Sequence, residues 1–195
     1  MISGPSGVGK GTVIDELLSA RPDLRRAVSV TTRDRRAWER EGVNYFYKSV
    51  DEFRRMLEQG LLLEHEQPHE DAYYGSLRSE FRGDDIILAE LDVRGGRAHQ
   101  MIWCHTLFIY LSPPSLDELR RRLLGRGSET AEKIQKRLAS AKREEDEVSN
   151  KIIRPDYRMV NHDSGETARS ILGLIAAKEC EVARKRAGKL SAIGA

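Results

Sequence analysis

The chain has 195 residues, of which 39% are hydrophobic and 33% charged, and a formal net charge of +2. That length makes one domain with a full core the simplest arrangement, and the composition is that of a polar globular protein. So small a net charge does not mark a nucleic-acid or membrane partner. No apolar run reaches membrane-spanning length and no signal-peptide pattern stands at the start, which predicts a cytoplasmic protein.

Residues 4–12 read GPSGVGKGT, with only Met1-Ile2-Ser3 before them. Gly4, Gly7 and Gly9 permit a tight turn and a close approach of backbone N–H groups to an anion. Lys10 supplies a cation, and the amphipathic run Thr12–Leu18 predicts a helix whose N-terminus favours negative charge. The spacing matches the phosphate-loop pattern G-x-x-x-x-G-K-[ST], except that Gly11 takes the hydroxyl position and Thr12 follows one place later. The cradle for polyphosphate is kept, whereas direct ligation of Mg²⁺ by a hydroxyl is left open. Such a loop normally leaves the C-terminal end of a buried strand. Either that strand is very short here or the natural protein begins earlier, and both explanations stay open.

Arg26–Val30 reads as a short strand, followed by a polar, arginine-rich stretch over 31–42 and by Val43–Tyr47. Residues 50–59 look helical; Leu61–Glu64 and Ala72–Tyr74 look like short strands around a polar loop. Asp85–Leu91 is a nearly continuous apolar run, as expected of a buried parallel strand, and Thr106–Leu111 is another, stopped by Pro113-Pro114. Residues 115–124 and 130–147 carry helical spacing and heavy charge; Tyr157–Val160 is a last short strand and 164–187 a closing helix. Strand–helix alternation around a phosphate loop predicts a three-layer α/β fold with a parallel sheet, and the segment 31–75 breaks the rhythm as an inserted arm.

Four further clusters carry chemistry. Ser29-Val30-Thr31-Thr32-Arg33-Asp34-Arg35-Arg36, with Glu39, Gly42 and Tyr45, offers guanidinium forks and a phenol suited to phosphate oxygens. Glu64 followed by Tyr73-Tyr74-Gly75-Ser76 pairs a carboxylate, able to accept two N–H donors from a guanine edge, with a hydroxyl able to donate to its carbonyl. Glu90 and Asp92, two residues apart at a strand end, point to the edge where ligands and Mg²⁺ sit in open α/β sheets. Arg120-Arg121-Arg122, Arg126 between Gly125 and Gly127, and Arg137 suggest a mobile segment bringing arginine charge onto a transferring phosphoryl group. Cys104 and Cys180 lie far apart and read as reduced thiols without metal or redox spacing.

From its first residues to about residue 165 the chain resembles the guanylate kinases, a family of P-loop nucleoside monophosphate kinases. GPSGVGKGT resembles that family's phosphate loop, and VTTRDRRAWEREGVNYF its GMP-phosphate segment. LLEH with YYGS is similar to its guanine-reading arm, and RRLLGRGSETAEKIQKRL to its lid. The resemblance implies a core of 1–30, 77–120 and 150–195, a GMP-binding arm of about 31–76 and a lid of about 121–149. It implies ATP- and Mg²⁺-dependent phosphorylation of GMP, and of dGMP, by a monomer or a homodimer. It places Arg33, Arg36, Tyr45 and Tyr74 on the GMP phosphate and Ser29, Glu64, Gly75, Ser76 and Asp92 around the guanine. Gly4, Pro5, Ser6, Gly7, Val8, Gly9, Lys10, Gly11 and Thr12 fall on ATP, with Asn161 near its adenine. Lys10, Arg33, Arg122, Arg126 and Arg137 fall on the reacting phosphates, and Thr12 and Glu90 on Mg²⁺, partly through water.

The sequence departs from the family pattern mostly beside the acceptor: Arg35 replaces proline, Trp38 glycine and Glu90 aspartate, and Asp92-Val93-Arg94-Gly95 replaces an aspartate–aromatic–glutamine–glycine stretch. The loop Glu66–Ala72 is longer than the family's by one residue. A kinase of the same scaffold acting on another nucleotide, a modified guanylate or a ribose phosphate therefore stays open, as does a non-catalytic binding module, which would have no use for Lys10 and Arg126. His65-Glu66-Gln67-Pro68-His69 matches the zinc-peptidase pattern H-E-x-x-H, but Pro68 opposes the helix that pattern needs. His99, His105 and His162 show no ligand spacing.

Overall fold

The computed structural model describes residues 1–69, 72–83, 85–102, 106–125 and 130–193. The expectations for Arg126 and Gly127, and for Cys104 and His105, lie outside these residues.

Two sheets organise the chain. In chain order, β1 (Ile2–Ser3) runs through the phosphate loop into α1 (Lys10–Ala20), followed by β2 (Arg25–Arg26), β3 (Ser29–Thr31), β4 (Phe46–Tyr47), α2 (Val50–Glu58), β5 (Leu62–His69) and β6 (Ala72–Leu77). A 3₁₀ turn (Arg78–Phe81) leads to β7 (Ile87–Leu88), α3 (Val93–Ile102), β8 (Ile109–Ser112), α4 (Leu116–Gly125), α5 (Ala131–Ser149), β9 (Tyr157–Val160) and α6 (Ser164–Ile193).

In the central sheet β1, β8 and β9 pair in parallel, as do β2 and β7. The parallel bridge Ile2↔Glu90 joins the two sets, giving the order β2-β7-β1-β8-β9. β1 is two residues long, yet it is bonded on both sides: Ile2 N–H donates to Ala89 O at 2.9 Å and Ile109 N–H to Met1 O at 2.9 Å. With β7 on one side and β8 on the other, the loop after β1 emerges at the point where strand order reverses, the usual ligand crevice of such sheets.

Alternation explains the layers. Ile109 and Leu111 of β8 pack with Val13, Ile14 and Leu17 of α1 and Ile171 of α6 on one face. Phe108 and Tyr110, one residue out of phase, pack with Val93 of α3 and Val148 of α5 on the other. A strand buried on both faces reads as a continuous apolar run, which is why this one was visible in the sequence.

The second sheet, β4-β3-β6-β5, is mixed: β3 pairs parallel with β4 and antiparallel with β6, which pairs antiparallel with β5. Its own core is Val30, Phe53 and Leu62, and α2 carries a Ser49–Glu52 capping box. The single strand expected over Arg26–Val30 is in fact two, in different sheets. Ala27 N–H still bonds Leu88 O at 2.8 Å in the central sheet, whereas Val28 N–H turns to the Glu80 carboxylate and Ser29 opens the second sheet.

The expected strands at 61–64 and 72–74 extend into the longer β5 and β6. β5 contains His65-Glu66-Gln67-Pro68-His69, so the helix needed for zinc binding by H-E-x-x-H is not formed, and among the described residues no group of three or more His, Cys, Asp or Glu is placed to hold a metal. Among the same residues no helix is long and apolar enough to cross a membrane.

Candidate active site

α1 begins at Lys10, two residues earlier than its apolar pattern suggests. Its N-cap is Gly9 in the left-handed region (φ 104°), with no side-chain cap and no acidic residue in the first turn. The positive end of the helix is thus left to an anion. A Cβ on Gly9 would lie 2.6 Å from Asn161 Nδ2, so both backbone angle and space demand glycine there.

The loop is braced from below. Asn161 is 1% exposed; its Nδ2 donates to Val8 O at 2.8 Å and its Oδ1 accepts from Thr167 Oγ1 at 2.8 Å. Arg122 of α4 donates to Val8 O and Asn161 O, both at 3.1 Å, and to Glu118 at 2.8 Å. Neither side chain is among those lining the cleft, and nor are Pro5 and Val8; here Arg122 and Asn161 brace the loop through Val8 O, the loop carbonyl they share.

Above the loop lies a cleft of about 370 Å³. At one end are Gly4, Ser6, Gly7, Gly9, Lys10, Gly11 and Thr12. Lys10 Nζ donates to Gly4 O at 2.7 Å and to Pro5 O at 3.3 Å, and stands 4.0 Å from Glu90 Oε1. Arg137 of α5 reaches across to donate to Ser6 Oγ, which ties α5 to the phosphate loop.

The other end is built by the second sheet. Its register puts Ser29 opposite Ser76 and Ser76 opposite Glu64, a row across three strands. Ser76 Oγ, buried, donates to Glu64 Oε1 at 2.6 Å. Asp92, at the start of α3, accepts from Gly95 N–H at 2.7 Å. Burial, with Asp92 and Glu66 nearby, pushes the Glu64 carboxyl up to about 7 against the pull of the Ser76 hydroxyl; burial also raises Asp92.

Beside this row the Arg33 guanidinium sits 5.5 Å from the Tyr45 ring centroid, and the Tyr45 and Tyr74 rings meet edge to face at 5.9 Å. Arg36 lies 5.9 Å from the Trp38 ring, and both line the cleft.

Glu90 and Asp92 both line the cleft but serve different neighbours. Glu90 faces cations, with Arg26 Nη2 at 3.2 Å as well as Lys10, whereas Asp92 faces Glu64. Sequence reasoning missed Arg26, whose role depends on pairing across the sheet. It also missed Glu144, which lines the cleft from α5 and is pushed up to about 7 by burial, with Asp92 adding and Lys10 opposing. A helical signal for Glu144 was present: Arg137, Ser140 and Glu144 follow i, i+3, i+7 spacing and so share one face.

The family model described as guanylate kinase matches residues 1–176. The chain belongs to the guanylate kinase family. Relatives include the guanylate kinase of Caldanaerobacter subterraneus, 39% identical over 95% of this chain and 90% of that one. That of Oceanobacillus iheyensis is 43% identical over 74% of this chain and 71% of that one. Among solved structures, guanylate kinase from Anaplasma phagocytophilum superposes with a TM-score of 0.72 at 30% identity, covering 91% of this chain and 83% of that one. The family places a P-loop kinase fold around the cleft just described.

Proposed function

We propose that this protein transfers the γ-phosphoryl group of ATP to the phosphate of GMP, giving ADP and GDP, with dGMP as a second acceptor. One observation carries the reading: a single cleft has a phosphate loop with Lys10 at one end and, at the other, the Glu64–Ser76–Ser29 row beside Arg33, Arg36, Tyr45 and Tyr74. All of these groups come from one chain, so the reaction needs no second copy. The cytoplasm, where both nucleotides are met, is the proposed location.

In this reading ATP lies with its β- and γ-phosphates on the loop's N–H groups and Lys10, and Arg137 adds charge from the lid. Arg122 and Asn161 act through the loop they brace. GMP lies with its guanine edge against Glu64, Ser76, Ser29 and Asp92, beside Gly75, and its phosphate against Arg33, Arg36, Tyr45 and Tyr74. An oxygen of that phosphate attacks the γ-phosphorus in line, and the bond to the β,γ-bridging oxygen breaks. The attacking oxygen is already anionic, so no general base is required; orientation and charge neutralisation supply the rate.

Mg²⁺ fits the donor set: a hydroxyl (Thr12) and a carboxylate (Glu90) share the cleft with the loop, few enough to leave coordination to water and phosphate, as this ion prefers. When bound it neutralises charge on the transferring group. The arm of about 31–76 and the lid of about 121–149 are read as the parts that close over the two substrates.

Lys10→Met tests the assignment. Phosphoryl transfer is expected to fall at least about a hundredfold, as for loss of a charge aimed at the transition state, with the GMP dissociation constant unchanged. Undiminished turnover would overturn the ATP half of the reading.

A further inference from the structure

Glu39 stands out because it touches three groups of the acceptor end. It is 3% exposed and carries no expected contact to substrate. Its Oε1 accepts from Arg33 Nη2 at 2.8 Å and its Oε2 from Arg33 Nη1 at 3.0 Å, an end-on bidentate pair. Oε2 also accepts from the Arg36 backbone N–H at 2.8 Å and from the Tyr47 hydroxyl at 2.8 Å, and the Arg36 guanidinium stands 3.9 Å from Oε1. Burial alone would raise its pKa, but the Arg33 fork, the Arg36 N–H and the Tyr47 hydroxyl override this and hold the carboxyl below its usual range.

We infer that Glu39 is the positioning residue of the acceptor-phosphate clamp: a buried carboxylate that sets the orientation of Arg33 and Arg36 before the phosphate arrives. This rests on the reading of Arg33 and Arg36 given above. A guanidinium has five N–H groups. Glu39 takes one hydrogen from each Nη, and the Asp34 carbonyl takes a further one from Nη1 at 2.6 Å. The Nη2–Nε edge is therefore the one through which Arg33 meets a phosphate, and its direction is fixed by the carboxylate on the opposite side. Arg36 is fixed at its backbone by the same oxygen that holds Tyr47, so the two arginines are held in one frame. Held this way, they lose little rotamer freedom when the phosphate binds.

The test is steady-state kinetics on the full chain with Glu39→Gln, Glu39→Asp and Arg33→Ala, singly and as Glu39→Gln/Arg33→Ala. The glutamine keeps shape but turns an amide donor toward Arg33. KM for GMP is expected to rise about ten- to hundredfold in Glu39→Gln, matching loss of hydrogen bonds to charged groups. KM for ATP stays unchanged and Glu39→Asp recovers part of the loss. In the double variant the Glu39→Gln effect shrinks to the part that acts through Arg36, because the rest acts through Arg33. Equal rises in both KM values, or full additivity with Arg33→Ala, would overturn the inference and make Glu39 a general stabiliser of the arm. If the unaltered protein releases no ADP with GMP, the reading of the acceptor fails instead, which is a separate outcome.

Discussion

In the proposed reading, Glu64 is the residue whose electrostatics bear most directly on acceptor choice. To accept two N–H groups from guanine it must be ionised, yet in the folded protein burial holds its carboxyl at about 7. Binding of GMP therefore requires loss of a proton below that value. The apparent affinity for GMP is expected to fall about tenfold between pH 8 and pH 6, one pH unit below the pKa giving one decade. ATP affinity should change far less, and Glu64→Gln should flatten the profile to the ionisation of the nucleotide's own phosphate; isothermal titration across this range checks it. The stability sign is the reverse. With its pKa raised in the folded state, Glu64 binds more protons folded than unfolded between about 4.5 and about 7, so its contribution is present at low pH and lost as pH rises through that window.

Trp38 is a second residue with a local test. The indole is 68% exposed and its gain is a stack with Arg36 at 5.9 Å. An exposed pair of this kind is worth about 0.5–1 kcal/mol, so Trp38→Gly is expected to raise KM for GMP only two- to fivefold. A loss of more than about fiftyfold would show a direct contact with the acceptor, well beyond such a stack.

Among the elements, α3 teaches most about what a sequence conceals. Val93-Arg94-Gly95-Gly96 carries two residues that disfavour helix, and no helix was expected there. The reason lies elsewhere in the chain: a Cβ on Gly96 would sit 2.7 Å from the buried ring of Phe108, just before β8, and one on Gly95 would sit 3.0 Å from Glu64 Oε2. Close packing, not propensity, selects glycine. Gly96→Ala should therefore destabilise by about 1–2 kcal/mol, overpacking outweighing the gain in helix propensity, with a melting temperature lower by about 2–8 °C. A higher melting temperature would refute that packing account.

β8 was legible as a continuous apolar run, and α1 and α5 from the helical spacing of their apolar residues. The division of Arg26–Val30 between two sheets was not, since Ala27 and Val28 are apolar in either setting and only their hydrogen-bond partners, Leu88 O and Glu80, tell them apart. The site shows the same division. The phosphate loop is local and was readable, whereas Arg26 and the bracing roles of Arg122 and Asn161 depend on contacts between residues distant in sequence.

Across the whole molecule, the central sheet supplies the loop and Glu90, the mixed sheet supplies the acceptor row, and α5 supplies Arg137 and Glu144, all lining one cleft. Two polyanions side by side would repel strongly; Lys10, Arg26, Arg33, Arg36 and Arg137 offset that repulsion, and the carboxylates between them keep each cation directed. The account thus stands or falls on simultaneous occupancy. The most direct measurement is calorimetric titration with a ligand joining adenosine and guanosine through five phosphates. It is expected to bind one per chain, to be displaced by either ATP or GMP, and to lose affinity in both Lys10→Met and Glu64→Ala. Displacement by one nucleotide alone, or indifference to either substitution, would contradict the end-to-end arrangement.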